Sequence, residues 1–273
     1  MIHSILRDKA TRLYLILGGF FVANALIAEM IGVKLFQLET ALGLSIADFT
    51  LLGQEHLSFV LSVGVLPWPV VFIMTDVVND YYGVRGVRFL TVLTAVLIAF
   101  AFIVMYFAIG MPPAGFWIGM NSTQGVPDMQ AAFSGIFGQG MNIIVGSLTA
   151  FVIGQLVDAF IFRRIKRITG DKRIWLRATG STIISQLMDS VVVTYVAFYF
   201  LRNDFSFAQC TAMVLVAYTY KLTVALLATP LVYAAHALVE QYLGPQKAGE
   251  MRAAALASEN PTVHSATPQA VIR

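Results

Sequence analysis

Residues 89–109 read FLTVLTAVLIAFAFIVMYFAI, a run of 21 residues without a charged side chain. A helix of about 20 apolar residues is long enough to cross the hydrocarbon core of a bilayer. The whole chain has the same character, since 58% of its 273 residues are hydrophobic and 12% are charged. Soluble domains carry about twice that fraction of charge. The sequence therefore predicts a membrane protein.

Five other apolar runs are long enough to be spans, and together the six predict an all-α membrane protein with six transmembrane helices. In chain order the predicted spans are Leu13–Leu35, Leu57–Val78, Phe89–Ile109, Phe133–Phe162, Ala178–Leu201 and Gln209–Val239. The first run is longer than the ~7–15 residues of a signal-peptide core and has no small-residue cleavage site. We therefore expect it to remain in the membrane as a helix.

Basic residues are divided unevenly between the two sides of this arrangement. The N-terminal segment, the second and fourth connections and the C-terminal segment hold 15 of the 18 lysines and arginines. Because such residues are retained on the cytoplasmic side, the pattern predicts both termini in the cytoplasm, with the chain in the inner membrane. The basic stretch Arg163–Arg177 is then a short cytoplasmic loop, and we expect no binding to nucleic acid.

The composition also predicts how the chain is divided. Residues 1–12 are expected to be a cytoplasmic N-terminal segment, and residues 13–243 the transmembrane domain. Residues 244–273 are polar and rich in Ala, Ser and Pro, which predicts a disordered cytoplasmic tail. The single cysteine, Cys210, excludes an internal disulfide and a cysteine-based metal cluster.

Several ionisable residues fall within the predicted spans, where each costs about 2.5–3.5 kcal/mol unless it faces a paired or wet interior. They are Glu29, Asp76, Asp80, Asp158, Asp189 and Lys221. Asp189 and Lys221 are at similar depth in the fifth and sixth spans, so we expect them to pair. This pair is either part of a binding site or a structural ion pair.

Two consecutive spans carry the same polar pattern, Gln155-Leu-Val-Asp158 and Gln186-Leu-Met-Asp189. A spacing of three places the amide and the acid on one helix face. Either pair alone is compatible with hydrogen bonds that join helices, each worth about 0.6 kcal/mol. The occurrence of both favours a binding site.

Asp76 and Asp80 are four residues apart at the inner end of the second span, and Arg85 follows them. No His or third carboxylate stands nearby to complete a metal shell, so a charged hinge is favoured over a metal site. A simple loop anchor is the remaining alternative.

The second span also contains Trp68 between Pro67 and Pro69. The prolines remove two backbone donors, which predicts a kinked or broken helix of the kind that transporters have at their binding sites. Trp68 is a candidate for stacking on a ligand, or else a residue of the interfacial aromatic belt.

A set of short motifs is spread in order along the chain. It comprises Asn24 and Lys34, Leu66-Pro67-Trp68-Pro69, Thr75-Asp76, Asp80-Tyr81-Tyr82-Gly83 with Arg88, Gln155-Leu-Val-Asp158, Ser181 through Gln186-Leu-Met-Asp189, and Tyr218, Lys221, Thr229-Pro230 and Tyr233. In these residues the chain resembles the vitamin uptake transporter family of queuosine-precursor transporters, over roughly Leu13 to Tyr242. It departs from the family pattern at Asp80, where relatives often have Glu, and at Glu29, where many have Lys.

The resemblance implies a fold related to the substrate-capturing subunits of energy-coupling-factor transporters, and import of 7-cyano-7-deazaguanine or 7-aminomethyl-7-deazaguanine. A deazaguanine presents two N–H donors, a carbonyl acceptor and a flat face, which a carboxylate, a donor and an aromatic ring can recognise. The substrate-binding candidates are Asp189, Gln186, Lys221, Gln155, Asp158, Trp68 and Asn24, and the candidates for gating or coupling are Asp76, Asp80, Glu29 and Arg85. We expect no metal and no cofactor. The expected partners are the deazapurine and the lipid bilayer, and a homodimer is an open alternative.

Other functions remain open at this level. The chain could capture another vitamin-like molecule for a separate ATPase module, or it could be a membrane scaffold without transport activity. An enzyme is not expected, because the four histidines are scattered and no GxSG or HExxH arrangement is present.

Overall fold

The first long helix begins at a polar cap. The computed structural model describes residues 8–138, 141–169, 174–201 and 205–257, except for the side chains of residues 141–143. Helix α1 (Lys9–Ile31) starts after Asp8, whose carboxylate accepts a hydrogen bond from the Thr11 backbone N–H at 2.9 Å. Such a cap satisfies one of the backbone donors that have no partner within the helix.

The segment after α1 folds into two small antiparallel sheets. It contains β1 (Leu35–Gln37), α2 (Leu38–Ala41), β2 (Phe49–Leu51), β3 (Gln54–Leu57) and β4 (Val60–Ser62), with β1 paired to β4 and β2 paired to β3. The Glu39 carboxylate ties the segment together by accepting hydrogen bonds from the backbone N–H groups of Phe59 (3.0 Å) and Ala47 (3.3 Å) and from the Gln37 amide (2.8 Å). Burial opposes the ionisation of Glu39, but these hydrogen bonds outweigh it and hold its pKa below the ordinary value of 4.5.

The second long helix begins later than the sequence predicts. A span from Leu57 was expected, whereas helix α3 (Trp68–Gly110) begins after Pro67 and has Pro69 in its first turn. The first backbone N–H groups of any helix lack partners inside it, so prolines are tolerated there. A short 3-10 helix, Val63–Val65, precedes them, so the prolines mark the start of α3 and do not lie inside a longer α-helix as predicted.

Helix α3 contains one non-helical residue, Gly83, with φ of 71° and ψ of −179°. An unbroken helix of these 43 residues would be about 64 Å long, twice the thickness of a hydrocarbon core. A positive φ is strained for residues with a side chain and is readily adopted by glycine. Gly83 therefore divides α3 into two helices, at the place where the sequence predicts a cytoplasmic connection.

The remaining helices differ in their bounds from the predicted spans. They are α4 (Gly115–Ile118), α5 (Met129–Phe137), α6 (Met141–Thr169), α7 (Ile174–Thr194), which continues as a π-helix through Tyr195–Leu201, α8 (Phe207–Leu227) and α9 (Thr229–Leu243). The single span predicted from Phe133 is thus divided between α5 and α6. The last predicted span is divided between α8 and α9, where Pro230 lies in the first turn of α9 and cannot continue the hydrogen bonding of α8.

The predicted disordered tail begins instead with a helix. Helix α10 (Pro245–Ala257) packs against α3 with Ala248 fully buried, and the Arg252 guanidinium lies over the Tyr81 ring at 5.4 Å from its centroid. Alanine has the highest helix propensity, and its small side chain allows close packing, so a contact face forms without a long apolar stripe. The rest of the predicted tail, residues 258–273, lies outside the described residues.

The long helices pack around one interior. Within the described residues, five helical stretches are long and apolar enough to cross a membrane, namely Lys9–Ile31, Val63–Gly110, Ile144–Thr169, Ile174–Leu201 and Phe207–Leu227. A core cluster joins Phe21 of α1, Val71 and Val78 of α3 and Phe151 of α6. Helices α6 and α7 form the most extensive pair. The chain is thus a mostly helical, multi-pass membrane protein.

Candidate functional site

A cavity lies between α3, α7, α8 and α9 and contains about 550 Å³ of empty space, including its mouth. Its wall is mostly apolar, with four polar side chains of particular interest, Asp76, Thr182, Gln186 and Lys221. A few polar groups in an apolar wall are the usual arrangement for binding an organic ligand in one orientation.

Aromatic rings form one side of the cavity at the start of α3. Trp68 and Phe72 are one helical turn apart, and their rings stack with centroids 5.8 Å apart and planes inclined by 22°. Both side chains line the cavity. Because Pro67 and Pro69 start the helix here, the first turn of α3 places the indole at the cavity wall.

Lys221 and Asp189 form the ion pair that the sequence predicts. The Lys221 ammonium lies 2.5 Å from the Asp189 carboxylate. Lys221 lines the cavity, whereas Asp189 is not among the described residues of its wall. The ion pair therefore fixes the position of the Lys221 ammonium at the cavity.

Asp76 has an unexpected place. The sequence suggested gating or coupling, and the structure puts its side chain in the wall of the cavity. Asp76 is 2% exposed, and its Oδ1 has no hydrogen-bond partner within the described part of the chain. A buried acceptor without a partner is costly, so this oxygen is suited to accept a hydrogen bond from a ligand.

The two Gln-x-x-Asp pairs are not equivalent in the structure. Gln186 lines the cavity, whereas Gln155 is buried and accepts a hydrogen bond from the Thr75 hydroxyl at 2.9 Å. Asp158 is also buried and accepts a hydrogen bond from the Ser185 hydroxyl at 3.0 Å. Gln155 and Asp158 therefore lie behind the cavity wall, in the packing between α3, α6 and α7.

Three other candidates lie away from the cavity wall. The Asn24 amide donates to the Phe20 carbonyl of its own helix at 2.8 Å. Glu29 accepts a hydrogen bond from the Ser147 hydroxyl at 2.6 Å. Arg85 is exposed, beyond the break at Gly83. The structure thus brings Trp68, Asp76, Gln186 and Lys221 together and leaves these three apart.

Asp80 is the centre of a buried charge cluster one turn beyond Asp76. Its carboxylate lies 2.5 Å from the Lys166 ammonium and 2.9 Å from the Arg177 guanidinium, and the His236 Nδ1 is 3.5 Å away. All four side chains are at most 5% exposed. The cluster therefore joins α3, α6, α7 and α9 immediately beside the cavity.

The sequence analysis missed three members of this cluster. It treated Lys166 and Arg177 as loop charges and His236 as isolated, which is wrong because α6, α7 and α9 carry all three into the interior. The spacing of the polar residues in the sequence could have revealed this. Residues four or eight positions apart lie on one face of a helix, as Asp158 and Lys166 do on α6 and Arg177, Ser181 and Ser185 do on α7.

Comparison with known proteins identifies the family. Residues 62–235 match the family model described as "Putative vitamin uptake transporter". A Bacillus subtilis protein named "Probable queuosine precursor transporter" is 30% identical over 65% of this chain and 72% of its own length. An Escherichia coli protein named "Queuosine precursor transporter" is 23% identical over 62% of this chain and 70% of its own length.

A third relative, from Haemophilus influenzae, is named "Probable queuosine precursor transporter" and is 24% identical over 65% of this chain and 69% of its own length. No solved structure is significantly similar. The family model covers more than half of the chain, and it includes the cavity residues from Val65 to Val232. The chain therefore belongs to the vitamin uptake transporter family.

Proposed function

We propose that this protein imports queuosine precursors, 7-cyano-7-deazaguanine or 7-aminomethyl-7-deazaguanine, across a bacterial inner membrane. Membership of the vitamin uptake transporter family supports a transport function. The names of three relatives support a queuosine precursor as the substrate.

The proposal includes six membrane crossings with both termini in the cytoplasm. The length of α3 and its break at Gly83 support two crossings in the stretch Val63–Gly110. Together with the four other long apolar stretches, this gives six. The distribution of lysine and arginine supports the orientation.

The observation that carries the proposal is the set of groups in the cavity wall. A deazaguanine needs an acceptor for its N–H groups, a donor for its carbonyl or nitrile and a surface for its ring. Asp76 offers a buried carboxylate oxygen without a partner, Lys221 and Gln186 offer donors, and Trp68 with Phe72 offers an aromatic surface. Charged hydrogen bonds of this kind are worth about 1.5–3 kcal/mol each.

The other candidates take supporting roles in this scheme. Asp189 positions the Lys221 ammonium at 2.5 Å. The Asp80 cluster acts as the inner gate, because Asp80 follows Asp76 by one turn toward the break at Gly83, where the sequence predicts a cytoplasmic connection. For the substrate to leave on that side, α7 and α9 must move away from α3, and this breaks the contacts of Asp80 with Arg177 and His236.

The proposal is tested in cells that can neither make nor import queuosine precursors, supplied with 7-cyano-7-deazaguanine. The readout is queuosine in transfer RNA. The wild type should restore the modification, and Asp76→Asn should weaken uptake about tenfold to a hundredfold, the equivalent of one charged hydrogen bond. Asp48→Asn is the matched control, because Asp48 is an exposed residue before α3 and its described ion pair is with the exposed His56. No restoration by well-expressed wild type would refute the substrate assignment.

A pair of variants separates the two interpretations of Asp189. If the Lys221 ammonium contacts the substrate, Asp189→Asn should reduce uptake. The double variant, with Lys221→Met added, should then be expressed normally but should still not take up the substrate. If the ion pair is only structural, the double variant should restore both.

A further inference from the structure

Asp76 of α3 and Asp158 of α6 bring two carboxylates together in the interior. Both are at most 2% exposed, and hydrogen bonds beside them, from Thr75 to Gln155 at 2.9 Å and from Asn79 to the Ala159 carbonyl at 3.2 Å, hold α3 against α6 at this level. Within the described residues, Oδ1 of Asp76 and Oδ2 of Asp158 accept no hydrogen bond. Each residue therefore presents a buried oxygen whose capacity to bind a donor or a cation is unused.

Hydroxyl groups from α7 surround one side of this pair. Ser185 donates to Asp158 at 3.0 Å, and the buried hydroxyl residues Ser181 and Thr182 lie about one turn before it on α7. Carboxylate and hydroxyl oxygens are the ligands that hard cations prefer.

The surrounding cations are already engaged with other carboxylates. The charged and titratable groups around the pair are Asp80 on α3, Lys166 on α6, Arg177 on α7, Tyr220 and Lys221 on α8 and His236 on α9. Lys166 and Arg177 bind Asp80, and Lys221 binds Asp189. Arg177 also attracts Asp76, but its guanidinium hydrogen-bonds Asp80. Among these described groups, no lysine or arginine forms an ion pair with Asp76 or Asp158.

Two buried carboxylates that are both charged and unpaired are costly in a low-dielectric interior. From the geometry and the charge balance we infer that Asp76 and Asp158 bind one small monovalent cation, a proton or Na⁺, and that its binding is coupled to transport. This inference rests on the proposed function, because the coupled substrate is the one assigned there.

The position of Asp76 explains the coupling. Asp76 lines the cavity and Asp158 lies behind it, so a cation held between the two carboxylates relieves their repulsion and leaves the cavity-facing side of the Asp76 carboxylate available to the substrate. Cation and substrate then bind more tightly together than either does alone, and the coupling is reciprocal.

The first test measures uptake of 7-cyano-7-deazaguanine by the purified protein in liposomes with an inward gradient of protons, of Na⁺ or of neither. One of the two gradients should stimulate wild-type uptake at least severalfold, and its identity names the cation. In Asp158→Asn the ratio of uptake with and without that gradient should fall to about one, whatever the absolute rate, since the site has lost one charge. Asp158→Glu should keep the stimulation.

A second measurement needs no substrate and applies even where a variant does not transport. A cation that binds the folded protein raises its unfolding temperature. The wild type in detergent should be stabilised by Na⁺ or by a lower pH, and Asp158→Asn should lose that dependence.

The outcomes distinguish this inference from the proposed function. Absence of wild-type uptake under every condition refutes the substrate, whereas uptake that ignores both gradients overturns the cation site. A proton dependence that disappears in His236→Gln and persists in Asp158→Asn also overturns it, because the proton would then bind beside Asp80.

Discussion

Replacement of Asp80 by Asn tests how the interior of this transporter is held together. The change keeps the shape of the side chain and removes its charge, which leaves the Lys166 ammonium and the Arg177 guanidinium buried without a counter-ion. Removing one partner of a buried ion pair costs about 3–5 kcal/mol, because the remaining charge stays desolvated. Since Asp80 is fully buried and contacts two cations, we expect Asp80→Asn to lower the free energy of unfolding by at least this amount.

The assay is unfolding of the purified protein in mixed micelles by titration with sodium dodecyl sulfate, followed by tryptophan fluorescence. Asp48→Asn is the control, because its pair with His56 has side chains 66% and 81% exposed and such surface pairs contribute about 0–1 kcal/mol. Lys166→Met should cost less than Asp80→Asn, because Asp80 then keeps Arg177. Equal effects of Asp80→Asn and Asp48→Asn would refute the reasoning.

Three other predictions concern packing, pH and recognition. Gly146→Ala should destabilise the protein by about 1–3 kcal/mol, since a Cβ at this position would be 2.9 Å from the Cβ of Ala197. Gly135→Ala is the control, because a Cβ there meets open space, and this change should be neutral or stabilising; equal unfolding free energies of the two variants would contradict the prediction. Because the pKa of Glu39 is lowered, its ionised form stabilises the segment 32–62 above the ordinary pKa, and this contribution disappears as the pH falls through the lowered value. Hydrogen exchange of the segment, corrected for intrinsic rates, should therefore rise on acidification in the wild type, and Glu39→Gln should not show this rise. Trp68→Ala should weaken precursor binding by the equivalent of about 1–3 kcal/mol, the value of stacking on one base, and an unchanged dissociation constant would exclude Trp68 from the site.

The membrane class and the location of most long helices could be predicted from the sequence, because apolar length alone carries that information. The ends of the helices could not. The sequence suggested that Pro67 and Pro69 interrupt an α-helix that they in fact begin, since a hydropathy pattern does not show where α-helical hydrogen bonding starts. The helix Pro245–Ala257 was missed because its packing relies on alanine and on Arg252 over Tyr81, not on an apolar stripe.

The candidate site was predicted in part. Trp68, Gln186 and Lys221 lie in one cavity wall, whereas Asp76 joins them from a group assigned to gating. In spans that are apolar all round, the sequence does not specify which face meets which neighbour, and helix packing decides it. The same limitation applies to Lys166, because counting charges by loop takes no account of how far a long helix carries them into the interior.

The central claim is that the cavity beside Asp76 binds a queuosine precursor, and equilibrium binding of 7-cyano-7-deazaguanine to the purified protein tests it most directly. The account predicts saturable binding at one site for the wild type and for Asp48→Asn. It predicts at least about tenfold weaker binding for Asp76→Asn, the loss of one charged hydrogen bond. Absence of saturable binding by folded wild type, or equal affinity in Asp76→Asn, would contradict it.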